Sequence, residues 1–307
     1  MDEEILTKTK KETLIPHCLN ETDTLRDVII GYPDNFLSDQ GTVEIVNNTQ
    51  KKYYFSDDKP TAEKLKKEFD GLELVLKKLG VNVRHLLPLP CSTGVCDQLP
   101  PRDIAFVIGD LFFICNMKRI SRKREWEALK DILDLIPEDK IIRIPEGIIL
   151  ESGDIILDKG FVFYGIGQRS TEEGVNFLKD TLKDTKYKVI PVFMKLPKDG
   201  EECLHLDCTF GPIVAGKALI YRNGLKEISQ EILDNYELID IAREEHDALF
   251  SNVLVINSNT IIIRHNATRL IKLLTDMDIK VIPVKFDEAP KTGAGFRCCT
   301  LPLVKKQ

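Results

Sequence analysis

The sequence predicts an α/β protein built from about five repeated units set around a common axis. Several segments share one order of elements, which is strand, short turn, strand, helix and strand, and they recur at a spacing of roughly 40 residues. Two units also end alike, in VIPV at residues 189–192 and at 281–284. One unit cannot bury its apolar face alone, whereas five units around an axis can, with their helices outside. The alternative is an ordinary mixed α/β sheet whose hairpins are alike by coincidence.

The two clearest units lie between residues 103 and 192. Each has a hairpin that turns at a glycine, then an amphipathic helix, then a third strand. The first helix carries Trp126, Leu129 and Leu133 on one face. The predicted strands of these two units are residues 104–108, 111–115, 141–144, 155–157, 161–164 and 189–192.

Two later units and an N-terminal unit follow the same plan. The later hairpins turn at AGK (residues 215–217) and at NSN (residues 257–259). The N-terminal unit has a strand at residues 28–31, an amphipathic helix at 65–79 and a strand at 81–87. A polar connection over about residues 34–60 interrupts it, and a connection of that length is typical of a functional lid or a disordered segment.

Composition excludes several classes of protein. The chain has 307 residues, of which 43% are hydrophobic and 30% charged, and its net charge of −6 argues against a nucleic-acid partner. No apolar run approaches the roughly 20 residues that span a bilayer. Residues 1–11 are charged and lack the apolar core of a signal peptide. We therefore expect a cytosolic protein without a membrane partner, whose eight cysteines are free thiols.

A cysteine follows a run of small residues near the C-terminal end, in GAGFRCCT at residues 293–300. Small residues allow the backbone to approach a ligand closely, and backbone amides or a nearby cation can keep a thiol in its thiolate form. Cys298 is therefore a candidate nucleophile, with Cys299 as the alternative. A lone cysteine at a turn is more often a buried structural thiol.

His205 and Asp207 lie two residues apart in CLHLDCT at residues 203–209. We expect them to alternate along a strand and to share one face. A histidine beside a carboxylate is a common general acid–base pair, although a buried histidine can also be structural.

Two acids and two arginines occupy matching places in successive units. Asp103 and Glu151 open the first two clear hairpins, and Arg122 and Arg169 lie between hairpin and helix. Acids at such turns are often merely solvated. Matching positions in a ring of units, however, converge on the axis, where paired carboxylates can hold a planar cation. The arginines could bind a carboxylate.

Taken together, these stretches resemble the superfamily of arginine deiminase, dimethylargininase and glycine amidinotransferase. The HLD at residues 205–207, the ESGD at 151–154 and the GAGFRCCT at 293–300 look like its three hallmark motifs, in the same order. The resemblance implies a five-bladed pseudo-symmetric α/β propeller of ββαβ repeats. Residues 1–24 would then be an N-terminal extension and residues 25–307 a single catalytic domain. In this sequence Ser152 and Ala294 replace two usual glycines.

The resemblance also implies a role for each candidate residue. Cys298 matches the nucleophile, His205 the general acid–base, and Asp207 a third acid that supports His205 or the substrate. Asp103 and Glu151 match carboxylates that grip the guanidinium, and Arg122 and Arg169 match residues that bind the α-carboxylate.

The expected function is a cysteine-dependent hydrolase of arginine or a methylated arginine, acting through a covalent thiouronium-type intermediate on Cys298. An amidinotransferase that passes the amidino group to an acceptor amine is the alternative. A non-catalytic binding protein of the same fold would lack the cysteine, histidine and acids together. The resemblance implies a small guanidino substrate, no cofactor and no metal, and leaves a homo-oligomer open.

Overall fold

The computed structural model describes residues 12–36, 44–90, 95 and 97–307. The charged stretch at residues 1–11, Cys91, Cys96 and part of the predicted long connection (residues 37–43) lie outside the described residues. The six cysteines within them are free thiols.

Within the described chain, the strands form five small three-stranded sheets, here called blades 1 to 5. Blade 1 contains β15, β1 and β2, and the other four follow in chain order. In each blade the middle strand pairs antiparallel with the inner strand and parallel with the outer one. The strands are β1 Thr24–Ile30, β2 Asn82–His85, β3 Ala105–Ile108, β4 Leu111–Ile114, β5 Ile141–Arg143, β6 Ile155–Asp158, β7 Phe161–Ile166, β8 Lys188–Phe193, β9 Phe210–Val214, β10 Lys217–Ile220, β11 Glu237–Asp240, β12 Leu254–Asn257, β13 Thr260–Arg264, β14 Lys280–Val284 and β15 Thr300–Lys306.

The blades form a closed ring. β15 of blade 1 contacts β3 of blade 2, the turns that open blades 2, 3 and 4 contact one another in sequence, β9 contacts β12, and β12 contacts β1. The predicted five-bladed α/β propeller is therefore confirmed. The sequence analysis missed that the last strand, β15, is the inner strand of the first blade, where it pairs antiparallel with β1.

The hairpin turns form where the sequence predicted them. Gly109, Gly160 and Gly216 have φ angles of +59°, +76° and +75°, a left-handed backbone that glycine adopts without steric cost. In blade 5 the Asn257 side chain accepts a hydrogen bond from the Asn259 amide, at 3.0 Å, and so closes the turn without glycine.

Three of the described α-helices have nine or more residues, and the others have six or fewer. The predicted helix around Trp126 is instead a 3₁₀ turn at Glu125–Leu129 followed by one α-helical turn. The α-helices are α1 Asn48–Tyr53, α2 Ala62–Lys78, α3 Pro101–Ile104, α4 Lys130–Leu133, α5 Glu172–Leu182, α6 Gln230–Asn235, α7 Arg243–Asp247 and α8 Thr268–Asp276. Among the described helices, none is both long and apolar enough to cross a bilayer.

The amphipathic helix α2 packs one face on blade 1 and leaves the other in solvent. Leu72 is fully buried in the cluster that also contains Phe69 and Phe286, whereas Leu74 is 55% exposed. The buried stripe recurs at helical spacing, through Leu65, Phe69, Leu72 and Leu76.

Leu72→Ala should lower the free energy of unfolding by about 2–5 kcal/mol, because it removes buried methyl groups and leaves a cavity. Leu74→Ala, on the same helix, is the matched control and should change it by less than about 0.5 kcal/mol. Denaturant unfolding measures both, and equal losses would contradict this packing.

Candidate active site

Three short turns that open blades 2, 3 and 4 meet at the axis of the ring; we call them the axial turns. They are α3 (Pro101–Ile104) and the 3₁₀ turns Ser152–Asp154 and Leu206–Cys208. Each precedes the inner strand of its blade, so neighbouring turns contact one another. The candidate acids and the histidine all lie in these turns or one residue before them.

The side chains of Asp103, Glu151 and His205 form one buried cluster. One ligand atom from each lies within 4.8 Å of the others. Such a set could bind a cation. Arg122 and Arg169, however, already lie within 2.8 and 3.3 Å of its carboxylates, so a metal ion would face two positive charges.

His205 is held by a carboxylate and by close backbone packing. Its Nε2 lies 2.8 Å from Glu151 Oε2, and its Nδ1 lies 3.9 Å from Asp103 Oδ1. A Cβ at Gly153 would stand 2.5 Å from the His205 Cγ, so the glycine of the ESGD motif leaves room for the imidazole. His205 has an extended backbone and precedes the 3₁₀ turn at residues 206–208, so the predicted strand containing His205 and Asp207 is wrong.

The surroundings keep His205 protonated at neutral pH. Burial opposes the positive charge, but the charge of Asp103, the hydrogen bond that His205 donates to Glu151 and the charge of Asp154 outweigh it and raise the pKa of His205 to about 9. In the same pair, burial alone would raise the pKa of Glu151. The hydrogen bond from His205 and the charge of Arg169 outweigh burial and lower this pKa to about 2. The two side chains form a buried ion pair.

Both oxygens of Glu151 are already occupied. Oε1 accepts a hydrogen bond from the Lys118 amide at 3.0 Å, and Oε2 accepts from His205 and, at 3.3 Å, from Arg169. In this structure the side chain therefore contacts His205, and the predicted grip of Glu151 on a guanidinium stays a prediction.

Asp103 differs from Glu151 because one of its oxygens is free. Oδ2 accepts from Arg122 at 2.8 Å, whereas Oδ1 is buried and has no hydrogen-bond partner in the described chain. A buried carboxylate oxygen without a donor is costly, so Oδ1 marks a place for an incoming N–H group.

Asp207 connects the axial turns to the candidate nucleophile. Its Oδ2 accepts from Arg297 Nη1 at 2.9 Å and lies 3.7 Å from Cys298 Sγ. The Cys298 amide donates to Asn252 Oδ1 at 3.1 Å, and a Cβ at Gly295 would lie 2.6 Å from that Asn252 side chain. The small residues of GAGFRCCT therefore allow the loop to approach blade 5.

The thiol of Cys298 lies in negative surroundings. Burial first, and then the charges of Asp207 and Asp103, raise its pKa well above the ordinary value. The thiol is therefore neutral as the site stands. Cys299, the alternative nucleophile, is fully buried in the apolar cluster around Phe286 and Phe296.

The two predicted carboxylate-binding arginines line a small cavity above Asp103. Arg122 is buried and donates to Asp103 and, through two nitrogens at 2.8 Å, to Glu125. Arg169 donates to Glu151 and to the carbonyl oxygen of Val46. Within the described residues, neither guanidinium uses all five of its N–H groups.

The described end of the predicted long connection closes this cavity. Glu44 accepts hydrogen bonds from the Ser121 amide (3.2 Å) and hydroxyl (2.8 Å), and Asn47 donates to Thr292 at 3.0 Å. The enclosed space is about 50 Å³, where one water needs roughly 10–15 Å³. We call residues 44–50 the cover segment.

Sequence reasoning missed three residues of this site. Asn252 holds the Cys298 amide, Arg297 neutralises Asp207, and Asp154 accepts from the Leu206 amide at 2.9 Å and so fixes the turn after His205. Asn252 lies just before the inner strand of blade 5, as Asp103 does in blade 2, so the repeat itself was a signal for it. Arg297 and Asp154 belong to the quoted motifs.

Comparison with known proteins gives a consistent family. The family model described as N,N dimethylarginine dimethylhydrolase, eukaryotic, matches residues 32–305. The uncharacterized protein YkgA of Bacillus subtilis (strain 168) is 31% identical over 289 residues, which cover 94% of this chain and 95% of that protein.

Solved structures share the fold at low sequence identity. SxtG, an amidinotransferase of the saxitoxin biosynthetic pathway from Microseira wollei, is 19% identical with a TM-score of 0.78 and covers 95% of this chain and 98% of its own. DDAH from Pseudomonas aeruginosa, in complex with citrulline, is 18% identical with a TM-score of 0.71, over 91% and 99% of the two chains.

The His205–Glu151 pair predicts a high imidazole pKa that depends on the carboxylate. In an NMR titration of labelled histidine, His205 should titrate near pH 9, and Glu151→Gln should lower its pKa by roughly 1–2 pH units. Because the folded-state pKa of His205 is raised from 6.5, the stability that its protonation contributes is complete below pH 6.5 and is lost as pH rises through 9. The lowered pKa of Glu151 contributes stability that is complete above pH 4.5 and is lost as pH falls through about 2.

The spectrum of His205→Gln identifies the resonance. The half-exposed His265, which lies outside this site, supplies an internal reference resonance. An unchanged His205 titration in Glu151→Gln would contradict the assigned pairing.

Proposed function

Because the chain belongs to the N,N-dimethylarginine dimethylhydrolase family, within the guanidino-modifying superfamily, we propose that it is a cysteine-dependent hydrolase of arginine or a methylated arginine. It would cleave a C–N bond of the guanidino group. The observation that carries this proposal is the meeting of Cys298, His205 and two differently paired acids, Asp103 and Asp207, at the axis. They come from three blades, because Cys298 precedes the inner strand of blade 1, Asp103 that of blade 2, and His205 with Asp207 that of blade 4. The fold rather than chain proximity therefore assembles them.

The guanidinium is expected to lie between Asp103 and Asp207. Asp103 Oδ1 lacks a donor, and Asp207 Oδ2 lies 3.7 Å from the sulfur that would attack. A planar guanidinium offers paired N–H groups that match such carboxylates. This placement sets the central carbon near Cys298, while Glu151 stays with His205.

Substrate binding would itself activate the nucleophile. The negative charges of Asp207 and Asp103 hold the Cys298 proton in place. A cation bound between them cancels that field and lowers the cost of the thiolate. The free enzyme then keeps a protected thiol, and the reactive form arises beside its target.

The protonation states of His205 and Cys298 fit hydrolysis in two stages. The thiolate attacks the central carbon, and the His205 imidazolium gives its proton to the departing amine, which leaves a thiouronium on Cys298. Neutral His205 next takes a proton from water, which attacks the same carbon and releases the thiol. Arginine would thus yield citrulline and ammonia, and a methylated arginine would yield citrulline and a methylamine.

The α-carboxylate of the substrate is proposed to bind Arg169, with Arg122 behind it. Arg122 donates mainly to Asp103 and Glu125, whereas Arg169 donates to a backbone carbonyl of the cover segment, Val46. A carboxylate oxygen could take the place of that carbonyl. The enclosed cavity is too small for an amino acid, so the cover segment would have to move on binding.

An amidinotransferase remains the alternative reaction. The first stage is common to both, and an acceptor amine would replace water in the second. SxtG supports this alternative, because a described amidinotransferase has the same fold. A non-catalytic binding protein is disfavoured by the buried ion pair beside a thiol. The cytosolic location and the absence of a cofactor stay predictions from the sequence.

Product analysis tests the reaction. Purified protein is incubated with arginine and with N-methylated arginines, each with and without glycine, lysine or ornithine. We expect citrulline together with ammonia or a methylamine, in yields that do not depend on added amine. Formation of a new guanidino compound only when an amine is present would instead establish the transferase.

Replacement of the nucleophile tests the site. Cys298→Ser should reduce turnover by at least about 10³-fold, because a hydroxyl is a far weaker nucleophile at neutral pH. Cys299→Ser, the adjacent buried thiol, is the matched control and should keep turnover if it remains folded. Mass spectrometry of quenched wild-type reactions should find the amidino adduct on Cys298; full activity of Cys298→Ser would refute the assignment.

A further inference from the structure

A second cavity lies on the other side of Arg297 from Asp207 and shares no lining residue with the active-site cavity. Its polar walls include the side chains of Arg102, Arg297, Lys305, Glu21 and Ser152. We propose that this cavity is a binding site for a small monovalent anion, of which chloride is the physiological representative. We call it the anion cavity.

The charges around the anion cavity do not balance. Arg102, Arg297 and Lys305 are all more than nine-tenths buried, and Glu21 is the one carboxylate among the described lining residues. Arg297 shares its charge between Glu21 and Asp207. Counting Asp207 as well still leaves an excess of one positive charge, and a buried uncompensated charge is costly.

Two of the three cations have a lowered pKa, whereas in Arg297 burial is outweighed by Glu21 and Asp207, which raise its pKa. Burial and the charge of Arg297 lower the pKa of Arg102 to about 10, although Glu21 opposes the change. Burial, with a contribution from Arg102, also lowers the pKa of Lys305. An anion in the cavity would offset the repulsion felt by both.

Two donors on the cavity wall have no acceptor. Arg102 Nη2 and Ser152 Oγ are buried without a hydrogen-bond partner in the described part of the chain, and Glu21 Oε1 is 3.9 Å from that nitrogen. Arg102 is 6% exposed and Ser152 1%. Orphaned donors on two lining residues of one cavity indicate a missing acceptor.

Size and charge together select the ligand. The cavity holds about 30 Å³, enough for one or two water-sized occupants. Water could accept from the two donors but would leave the charge excess in place. A halide, close to a water molecule in size, needs less room than a tetrahedral oxyanion. A halide meets all three requirements.

The site is joined to the loop of the nucleophile. Arg102 Nε donates to the carbonyl oxygens of Arg297 (3.3 Å) and Thr300 (2.8 Å), and its amide donates to the Cys298 carbonyl at 3.1 Å. An anion that holds the Arg102 side chain would therefore also stiffen the backbone on both sides of Cys298.

Bromide, a heavier halide, tests occupancy directly. Crystals of the full chain grown without chloride are soaked in sodium bromide, and anomalous diffraction is recorded at the bromine edge. We expect a peak between Arg102 Nη2 and Ser152 Oγ. Bromide peaks elsewhere on the protein surface, with no peak in this cavity, would overturn the proposal.

Thermal unfolding tests the same site in solution. At constant ionic strength, replacing gluconate by chloride should raise Tm saturably, by about 2–4 °C. Ser152→Ala should raise the chloride concentration at half-maximal response by roughly 5- to 20-fold, because one donor to the ion is lost. Arg102→Met should abolish the response.

Arg222→Met removes a half-exposed arginine outside the cavity and should keep the full chloride response. If Arg102→Met fails to fold, Ser152→Ala and the bromide map still decide the matter. Equal Tm values in chloride and gluconate, or an equal rise with sulfate, would contradict a halide site.

Discussion

Buried carboxylates at the axis of the ring must each be compensated by a cation or a donor, and this requirement organises the molecule. Glu151 is matched to His205 and Arg169, Asp207 to Arg297, and one oxygen of Asp103 to Arg122. Each partner comes from a different stretch of chain. Two of these pairs, His205–Glu151 and Arg297–Asp207, therefore join different blades, whose strands are not hydrogen-bonded to one another among the described sheets.

The carboxylate charge is only partly compensated at the place where the proposed reaction would occur. Asp103 Oδ1 has no donor within the described residues, and the charges of Asp207 and Asp103 hold Cys298 as a thiol. A guanidinium supplies both missing terms at once, since it brings donors and positive charge. The charges of the site thus suit one class of cation, and the reactivity of Cys298 would depend on the binding of that cation.

The repeat made much of this architecture readable from the sequence. Hairpins, their glycine turns and the convergence of Asp103 and Glu151 follow from alternation, turn residues and period. Three features did not follow. Pairing of β15 with β1 joins the two ends of the chain, which no local pattern encodes. The turn after His205 depends on the distant Asp154. Which acid serves His205 depends on side-chain geometry, and Asp103 and Glu151 occupy matching places in the sequence.

The choice between water and an amine as second nucleophile cannot reside in the axial groups, because both reactions pass through the same adduct with the same acids and base. It must reside in what admits or excludes the second reactant. We infer that in this chain the cover segment forms that boundary; it is held by Glu44 to Ser121 and by Asn47 to Thr292, beside the start of the GAGFRCCT motif. This explains how hydrolases and amidinotransferases can share the fold at high structural similarity. Specificity would then evolve by changes in a loop, while the axial charges that make the adduct stay constant.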